Sequence, residues 1–417
     1  MIPPSTQPSP PSTPPGSTVT AGRTIEPPAT SSRRRAAARC VVLWLGVGLA
    51  VWLLALLGPA LLPSNDGPGV PGWPPPRPDS TLGALGSSLE RWDGLWYLRI
   101  ADDGYRAADG SAAFFPLYPL LVRGLSWGLG GHPLAAALIL SHAAFLGALL
   151  LLHRAVTEDF GDDTAERTVV FLALFPTSFF FYAPYPESLF LLTSVASLWS
   201  ARRGRWAAAG AAAALASATR AAGLVLLLPL AAEALRAARA SPPGRMRAAA
   251  LVRHLGALTA APLGAALYAL YWHLEFGDWL APLTQQSRWL REPSWPWQTL
   301  VEATTAAWGS LGSFPGGYHM IDWLIVVPML AVALWSTPRL PVPHRLYVWG
   351  ALLPPLCFAF SGRPLMSLPR FLLAPWPLFI GLALLVSRPG PRSALTAVLS
   401  AGLALLTVLY ATWYWIF

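Results

Sequence analysis

The sequence contains no lysine, so all 29 of its basic residues are arginines. Charge is scarce as a whole, because Asp, Glu, Lys and Arg make up 12% of the 417 residues, about half of the ~25% typical of soluble proteins. Hydrophobic residues make up 54% and fall in repeated long runs. This combination excludes a soluble globular domain and predicts an integral membrane protein with many spanning helices.

Cysteine is rare, and the common motifs of cofactor chemistry are missing. Cys40 and Cys357 lie in separate apolar runs, so neither a disulfide framework nor a cysteine metal site is indicated. No CxxC, HExxH or P-loop sequence occurs. The net charge of +9 could indicate nucleic acid, but the arginines gather at the ends of apolar runs, as the positive-inside rule requires. No nucleic-acid partner is therefore predicted.

The distribution of apolar runs and arginines predicts an all-α polytopic membrane protein. Residues 1–38 are rich in Pro, Ser and Thr and then basic, which predicts a disordered cytoplasmic tail. Residues 39–417 then form one transmembrane domain of about eleven helices. With the N-terminus inside, the arginine bias makes 63–132 the first external loop and 274–319 a second, large one. The predicted spans lie near residues 40–62, 133–152, 167–183, 187–201, 206–219, 221–235, 250–273, 320–337, 346–360, 371–387 and 394–415.

One pair of these spans is short. Residues 206–235 cannot make two full crossings at about 20 residues each. They could instead be two half-length helices that meet within the membrane, a feature that often marks a site. The Ala-rich run 207–216 suits close packing of helices in lipid.

Residues 91–119 concentrate acidic, basic and aromatic side chains outside the spans. The apolar spacing from Trp92 to Ala101 predicts a short interfacial helix, and Trp and Tyr favour the headgroup level. Within this stretch Asp93 could act as a general base at the outer membrane surface. An Asp before a helical run is also a common helix N-cap, and the spacing supports both interpretations equally.

Two further residues of this stretch are weaker candidates. Asp102 and Asp103 could form an acid/base or metal-binding pair, but adjacent carboxylates on a helix point in different directions. A solvated helix end is favoured for at least one of them. Tyr105 could stack on a sugar ring, and an ordinary aromatic belt explains it almost as well. A divalent cation is left open as a cofactor, and no metal ligand is assigned.

Later in the chain, isolated charges next to apolar segments are candidates for substrate binding. Glu187 begins a span after two prolines, where capping of the helix is favoured over a functional role. Arg220 lies in the apolar tract SATRAAGL and needs a partner, which could be Glu187, Asp93 or a phosphate. Arg363 and Arg370, in SGRPLMSLPRF, could hold a phosphate or anchor the chain at the interface.

The large external loop 274–319 mixes acidic and basic residues with five tryptophans. It could be a lid that selects the substrate. A plain interfacial loop is equally plausible from composition.

Together these segments resemble one family. RWDGLWYLRIADDGY followed by AAFFPLYPL is similar to the first external loop of the PIG-V type mannosyltransferases, which are related to GPI mannosyltransferase 2 within the GT-C class of membrane glycosyltransferases. FPTSFFFYAPYPESLFLL, SATRAAGLVL and SLPRFLLAPWPLF follow in the same order. The resemblance covers roughly residues 89–232 and 361–382.

The resemblance implies a GT-C-like bundle that transfers mannose from a polyprenyl-phosphate donor to an acceptor hydroxyl, on the extracytoplasmic face and with inversion. Asp93 would be the catalytic base. Ala222 stands where eukaryotic members tend to have Asn, and the absence of lysine suggests GC-rich bacterial coding. Because bacteria lack GPI synthesis, the acceptor is expected to be another lipid, a glycan or a protein. The predicted residues for binding the donor phosphate or sugar are Arg220, Arg363, Arg370, Tyr105, Glu187, Trp92 and Asp102.

Two other functions remain open from the sequence. A transporter or flippase of lipid-linked sugars would need a polar path, and the near absence of acidic residues from the spans argues against ion coupling. A non-catalytic scaffold would bind the donor and transfer nothing.

Overall fold

The structure, a computed structural model, describes residues 30–76, 83, 86–107, 109–240, 245–285, 291–313 and 317–414, and these are predominantly helical. The helices of the first half are α1 (Thr30–Leu61), α2 (Asp93–Asp103), α3 (Leu117–Gly128), α4 (Pro133–Phe160), α5 (Asp162–Ala173), α6 (Glu187–Arg202), α7 (Trp206–Thr219) and α8 (Leu227–Ala240). Those of the second half are α9 (Arg245–Ala260), α10 (Leu263–Phe276), α11 (Ala281–Thr284), α12 (Pro296–Gly309), α13 (Gly317–Ser336), α14 (Val342–Leu356), α15 (Leu368–Phe371), α16 (Pro377–Leu385) and α17 (Pro389–Ala411). Within the described residues, 3-10 turns cover Ser111–Ala113, Ser178–Phe181, Ala221–Leu226 and Thr337–Arg339.

Long apolar helices confirm the prediction of a protein that crosses the membrane repeatedly. Among the described residues, five helices are long and apolar enough to span a bilayer, or six if α9 and α10, bent by 42°, form one broken span. The predicted count of about eleven is not confirmed, because several helices that coincide with predicted spans are shorter than the ~20 residues a crossing needs. Within 206–235, α7 is such a short apolar helix, whereas 221–240 is long enough to cross.

Helix α6 is the central element of the bundle. It packs against α4 and α7, and 12 of its 16 residues are buried. A helix that is buried on nearly all sides belongs to the interior of the bundle rather than to its lipid-facing surface. Its N-terminal residue, Glu187, is therefore held inside the protein.

Small residues bring α7 close to its neighbours, as the Ala-rich run predicts. Helix α7 packs against α9 and α10. A Cβ added at Gly210 would lie 2.8 Å from the Cα of Ala257, so the two backbones approach as closely as a missing side chain allows.

The described residues also contain one short pair of strands that the sequence did not predict, in a fold that is otherwise helical. Strands β1 (Arg291–Pro293) and β2 (Phe358–Phe360) pair antiparallel, with Arg291 opposite Phe360. Two three-residue strands so far apart in sequence carry no alternation long enough to recognise. The pairing attaches the segment 274–319, predicted to be an external loop, to the chain just before α15.

Some of the segments between the long helices also contain short helices. The loop 63–132 carries α2 and α3, and α2 agrees within two residues with the helix predicted for Trp92 to Ala101. Helix α1 begins at Thr30, so residues 30–38 are helical although composition placed them in a disordered tail. Ala and Arg are strong helix formers, which explains the extension. Residues 1–29 of that tail lie outside the described residues.

Candidate active site

A sharp backbone turn at Trp92 places Asp93 at the start of α2. Trp92 has a φ of +55°, a conformation that few residues other than glycine adopt. Trp92 is the N-cap residue and makes no side-chain capping bond. The Asp93 carboxylate lies in the first helical turn, where its Oδ2 accepts a hydrogen bond from Arg370 Nη1 at 2.6 Å. The Asp93 side chain therefore contacts Arg370 on α15 and does not cap its own helix, α2.

The chain before Asp93 is fixed by two buried tyrosines that sequence reasoning missed. The hydroxyl of Tyr185 donates to the carbonyl oxygen of Arg91 at 3.0 Å, and that of Tyr410 donates to the same oxygen at 3.2 Å. The Arg91 side chain donates in turn to Ala411 O at 3.0 Å and lies 4.7 Å from the ring centroid of Trp413. The end of α17 and the turn before α6 thus hold the backbone that leads into Asp93.

Four predicted residues meet in one ion-pair cluster, which we name the Asp93 cluster: Asp93, Glu187, Arg220 and Arg370. Arg370 joins the two carboxylates, because its Nε donates to Glu187 Oε1 at 2.5 Å while its Nη1 donates to Asp93. Arg220 Nη1 donates to the same Glu187 oxygen. The sequence allowed Glu187, Asp93 or a phosphate as the partner of Arg220, and in the structure the partner is Glu187.

Burial differs strongly within the Asp93 cluster. The side chains of Glu187 and Arg370 are 2% and 8% exposed, whereas that of Asp93 is 31% exposed. Buried charges are tolerated only when they are paired and hydrogen-bonded. Asp93 is thus the member that a ligand at the surface can reach, and Glu187 lies behind it. The guanidinium of Arg370 also lies 4.7 Å from the ring centroid of Tyr185, which limits its movement.

Glu187 retains one unused acceptor. Among the residues that the structure describes, its Oε2 is buried and has no hydrogen-bond partner, since both arginines donate to Oε1. A buried polar atom without a partner calls for an explanation, and a ligand hydroxyl is one group that could donate to it.

Arg363 belongs to a different ion pair. Its Nε and Nη2 donate to the two oxygens of Asp322 at 2.7 and 2.9 Å, a bidentate arrangement. Asp322 is 2% exposed and lies on α13 within a predicted span, where the sequence gave no reason to single it out. The phosphate role of Arg363 stays a prediction, and any anion there would have to share the guanidinium with Asp322.

Asp102 and Tyr105 lie at the other end of α2 from Asp93. Asp102 is exposed and about 13 Å further along the helix axis. The Tyr105 hydroxyl donates to Phe114 O at 2.7 Å, and its ring packs 5.4 Å from that of Tyr268 on α10. Their predicted contacts with the substrate stay predictions, and the packing of Tyr105 is that of an aromatic cluster joining the loop to α10.

No metal centre is evident in the described part of the chain, where no three His, Cys, Asp or Glu side chains group as ligands. The carboxylates of the Asp93 cluster are held by arginines. The divalent cation that the sequence left open stays a prediction.

One region of the chain matches a known protein family. Residues 79–241 match the family model described as mannosyltransferase (PIG-V). The predicted PIG-V resemblance is confirmed. The PIG-V match contains Asp93, Glu187 and Arg220, whereas Arg370 lies beyond it. The fold therefore brings a residue from outside the matched region into contact with three inside it.

Curated relatives of the PIG-V region are named as mannosyltransferases. GPI mannosyltransferase 2 of Drosophila pseudoobscura pseudoobscura is 33% identical over 143 residues, covering 32% of this chain and 31% of that protein. GPI alpha-1,6-mannosyltransferase 2 of Rattus norvegicus is 33% identical over 157 residues, covering 35% of this chain and 32% of that protein. The match thus spans about a third of the curated relatives' length.

Among solved structures, the crystal structure of the Archaeoglobus fulgidus oligosaccharyltransferase complex with Zn and sulfate is similar over 90% of this chain and 53% of that chain. The TM-score is 0.42 at 13% sequence identity, too low to support an argument about fold or activity. The apolar helices and the PIG-V match together indicate a multi-pass membrane protein.

Proposed function

We propose that this protein transfers mannose from a polyprenyl-phosphate-linked donor to an acceptor hydroxyl, with inversion and with Asp93 as the general base. The observation that carries the proposal is the position of Asp93, a partly exposed carboxylate held by Arg370 in front of the buried Glu187. The PIG-V match and the names of the curated relatives support mannose as the sugar. The acceptor hydroxyl belongs to a lipid, a glycan or a protein.

The proposed chemical step balances without a co-reactant. The acceptor oxygen forms a bond to C1 of mannose while the bond from C1 to the phosphate oxygen breaks. The electron pair of the broken bond stays on the phosphate, and the acceptor proton passes to the Asp93 carboxylate. Because attack and departure occur on opposite faces of C1, the configuration inverts.

Arginines at the site would stabilise the leaving phosphate. The donor phosphodiester carries one negative charge, and the monoester that leaves carries up to two. Fixed guanidinium groups in a site with little water stabilise charge that develops in the transition state. Glu187 supports this role by holding Arg220 and Arg370 in position.

The distribution of arginines supports an extracytoplasmic site. Helix α6 carries Glu187 at its first residue and Arg202 at its last, about 22 Å away. Ion pairs at this second end, the arginine-rich end, are Arg39 with Asp162, Arg202 with Asp159, Arg203 with Glu158, Arg236 with Glu233 and Arg392 with Glu166. The positive-inside rule assigns such an end to the cytoplasm and the Asp93 cluster to the opposite face.

We also infer a GT-C-like bundle of about eleven spans, because each predicted span overlaps at least one helix. The short helices would cross together with adjoining turns. Helix α5, for example, is followed within a few residues by the turn Ser178–Phe181.

Replacement of the base tests the proposal. Asp93→Asn keeps the size of the side chain but removes the proton acceptor, so transfer from radiolabelled polyprenyl-phosphate mannose should fall by about 100-fold or more. Asp103→Asn is the matched control, since Asp103 lies on the same helix and pairs with Arg106 at the surface. Protein yield and the thermal unfolding midpoint should stay near wild type for both variants.

Near-wild-type transfer by Asp93→Asn would contradict the proposal. Wild-type protein in lipid vesicles separates the transporter alternative, since movement of the donor across the bilayer without any glycan product would support a flippase.

A further inference from the structure

Each arginine that the sequence singled out as a phosphate ligand already holds a carboxylate. Arg220 and Arg370 share Glu187, Arg370 also holds Asp93, and Arg363 holds Asp322. An anion that used only these groups would have to displace or share an existing partner.

Arg291 differs from them. It begins strand β1 and is half-buried, and no carboxylate pairs with it among the residues that the structure describes. Its hydrogen bonds go to two backbone carbonyls, from Nη1 to Phe358 O at 3.3 Å and from Nη2 to Met366 O at 3.5 Å. Both lie beyond the usual length of such bonds, and a guanidinium has five N–H donors. Arg291 therefore has donor capacity to spare.

Arg291 also lies at the Asp93 cluster. Its guanidinium carbon is 5.3 Å from the ring centroid of Phe371, and that of Arg220 is 5.5 Å from the same centroid. Burial and the neighbouring Arg370 guanidinium lower the pKa of Arg291, and Asp93 partly offsets this effect. A third guanidinium thus lies near the Arg370–Asp93 pair, and no carboxylate in the described part of the chain forms an ion pair with it.

The charge of the described residues at this site is consequently unbalanced. With both carboxylates ionised, Asp93 and Glu187 contribute two negative charges, and Arg220, Arg370 and Arg291 contribute three positive ones. A phosphodiester carries a single negative charge and would neutralise the excess. A partly buried cation without a carboxylate partner is costly, so the site favours an anion of that charge.

We propose that Arg291, presented by the strand pair β1–β2, binds the phosphate of the lipid-linked donor. This inference rests on the proposed function and extends it by naming the group that receives the donor's charge. Strand pairing places the loop 274–319 at the site. The loop therefore contributes a residue that binds the donor and is not only a cover over the site. As the C1–oxygen bond breaks, the charge on the phosphate grows and its attraction to Arg291 increases.

Binding measurements test the inference without requiring transfer. Purified protein is titrated with geranylgeranyl phosphate and, separately, with the uncharged geranylgeraniol. Binding is measured as a shift of the thermal unfolding midpoint. Arg291→Ala should weaken binding of the phosphate on the order of tenfold to hundredfold, as expected for a lost charged hydrogen bond, and leave the alcohol unchanged. Arg291→Lys should recover part of the loss, because lysine keeps the charge without the planar fork.

Two controls separate charge from structure. Arg339→Ala removes an exposed arginine that also lies over an aromatic ring, 3.8 Å from the centroid of Trp335, and should bind geranylgeranyl phosphate as wild type does. Glu292→Ala changes the exposed neighbour of Arg291 in β1 and should do the same. Equal loss of phosphate and alcohol binding in Arg291→Ala would mean that Arg291 only supports the strand pair, and would overturn the inference.

Inorganic phosphate and phosphatidylglycerol vesicles distinguish the source of the anion. If inorganic phosphate or the vesicles raised the thermal unfolding midpoint as much as geranylgeranyl phosphate does, and through Arg291, the site could not be assigned to the donor.

The two proposals also fail separately. Wild-type protein that binds the prenyl phosphate through Arg291 but makes no mannosylated product refutes only the proposed function. A transfer-competent Arg291→Ala variant with an unchanged donor KM refutes only this inference.

Discussion

At each end of helix α6 a buried glutamate lies between two arginines, yet the two arrangements differ. Glu187 in the Asp93 cluster and Glu233 at the arginine-rich end are both 2% exposed. The exposed fractions of their arginine partners are 15% for Arg220 and 8% for Arg370, against 29% for Arg202 and 60% for Arg236. The same chemical unit is therefore sealed from water at one end and open to it at the other.

The exposed and the buried ion pairs therefore suit different roles. Exposed pairs gain little energy, because water competes for both partners and the side chains lose freedom. Pairs in the interior fix their groups in place, and loss of one partner leaves a costly unpaired charge. The arginine-rich end suits orientation of the bundle in the membrane, while the Asp93 cluster suits positioning of reactive groups.

Glu187→Gln should have the largest effect of the changes that probe this difference. It leaves Arg220 and Arg370 buried without the carboxylate they share, which should lower the free energy of unfolding by about 3–5 kcal/mol. Arg370 would then bind Asp93 alone, and transfer should fall with stability. Denaturant titration in detergent measures the first effect and donor turnover the second.

Glu233→Gln is the matched control at the arginine-rich end. Its arginines can return to water, so a loss of about 1 kcal/mol is expected, with transfer unchanged. If both glutamine variants lost the same stability, burial of the arginines would not distinguish the two ends.

A smaller effect is expected from Gly94→Ala, which shifts the Asp93 cluster without changing its charges. A Cβ at Gly94 would lie 3.0 Å from Pro184 Cγ and 3.2 Å from Tyr185 Cε2, so the start of α2 must move away from that turn. Transfer should drop about tenfold, since catalysis is sensitive to displacements below an ångström. The free energy of unfolding should fall by about 1–2 kcal/mol.

Gly124→Ala in α3 provides the comparison for this substitution. No atom lies within 4 Å of a Cβ added there, so alanine should stabilise the helix slightly and leave transfer unchanged. Equal turnover in the two alanine variants would show that the spacing between α2 and the 184–185 turn does not set the position of Asp93.

Hydropathy predicted where the helices lie, because burial in lipid requires apolar runs whatever the tertiary contacts. It could not establish the number of crossings. Helices such as α16, with nine residues, are enclosed by protein and need no full-length span of their own. The strand pair β1–β2 was also missed, because its stability comes from contacts between segments distant in sequence.

The candidate site was predicted residue by residue, but not as a cluster. Charges within or beside apolar segments marked Glu187, Arg220 and Arg370, because such charges are costly unless they serve a purpose. Asp93 was marked instead by the dense group of acidic, basic and aromatic residues at 91–119. Their pairing depends on separations as long as the 277 positions between Asp93 and Arg370. Arg291 was missed because the acidic and basic residues of the loop 274–319 gave no reason to choose one arginine over another.

The smallest effect is expected at the arginine-rich end itself. Arg39 pairs with Asp162 at 2.8 Å and with Glu166 at 3.6 Å, and its side chain is 46% exposed. Arg39→Gln should therefore lower the free energy of unfolding by less than about 1 kcal/mol, and the difference should shrink as salt is raised toward about 1 M, where exposed charges are screened. Transfer should stay at the wild-type rate, because this pair lies at the opposite end of the bundle from Asp93. A fall in transfer at unchanged stability would mean that the two ends are coupled, and the separation of an orienting end from a reactive end would then have to be abandoned.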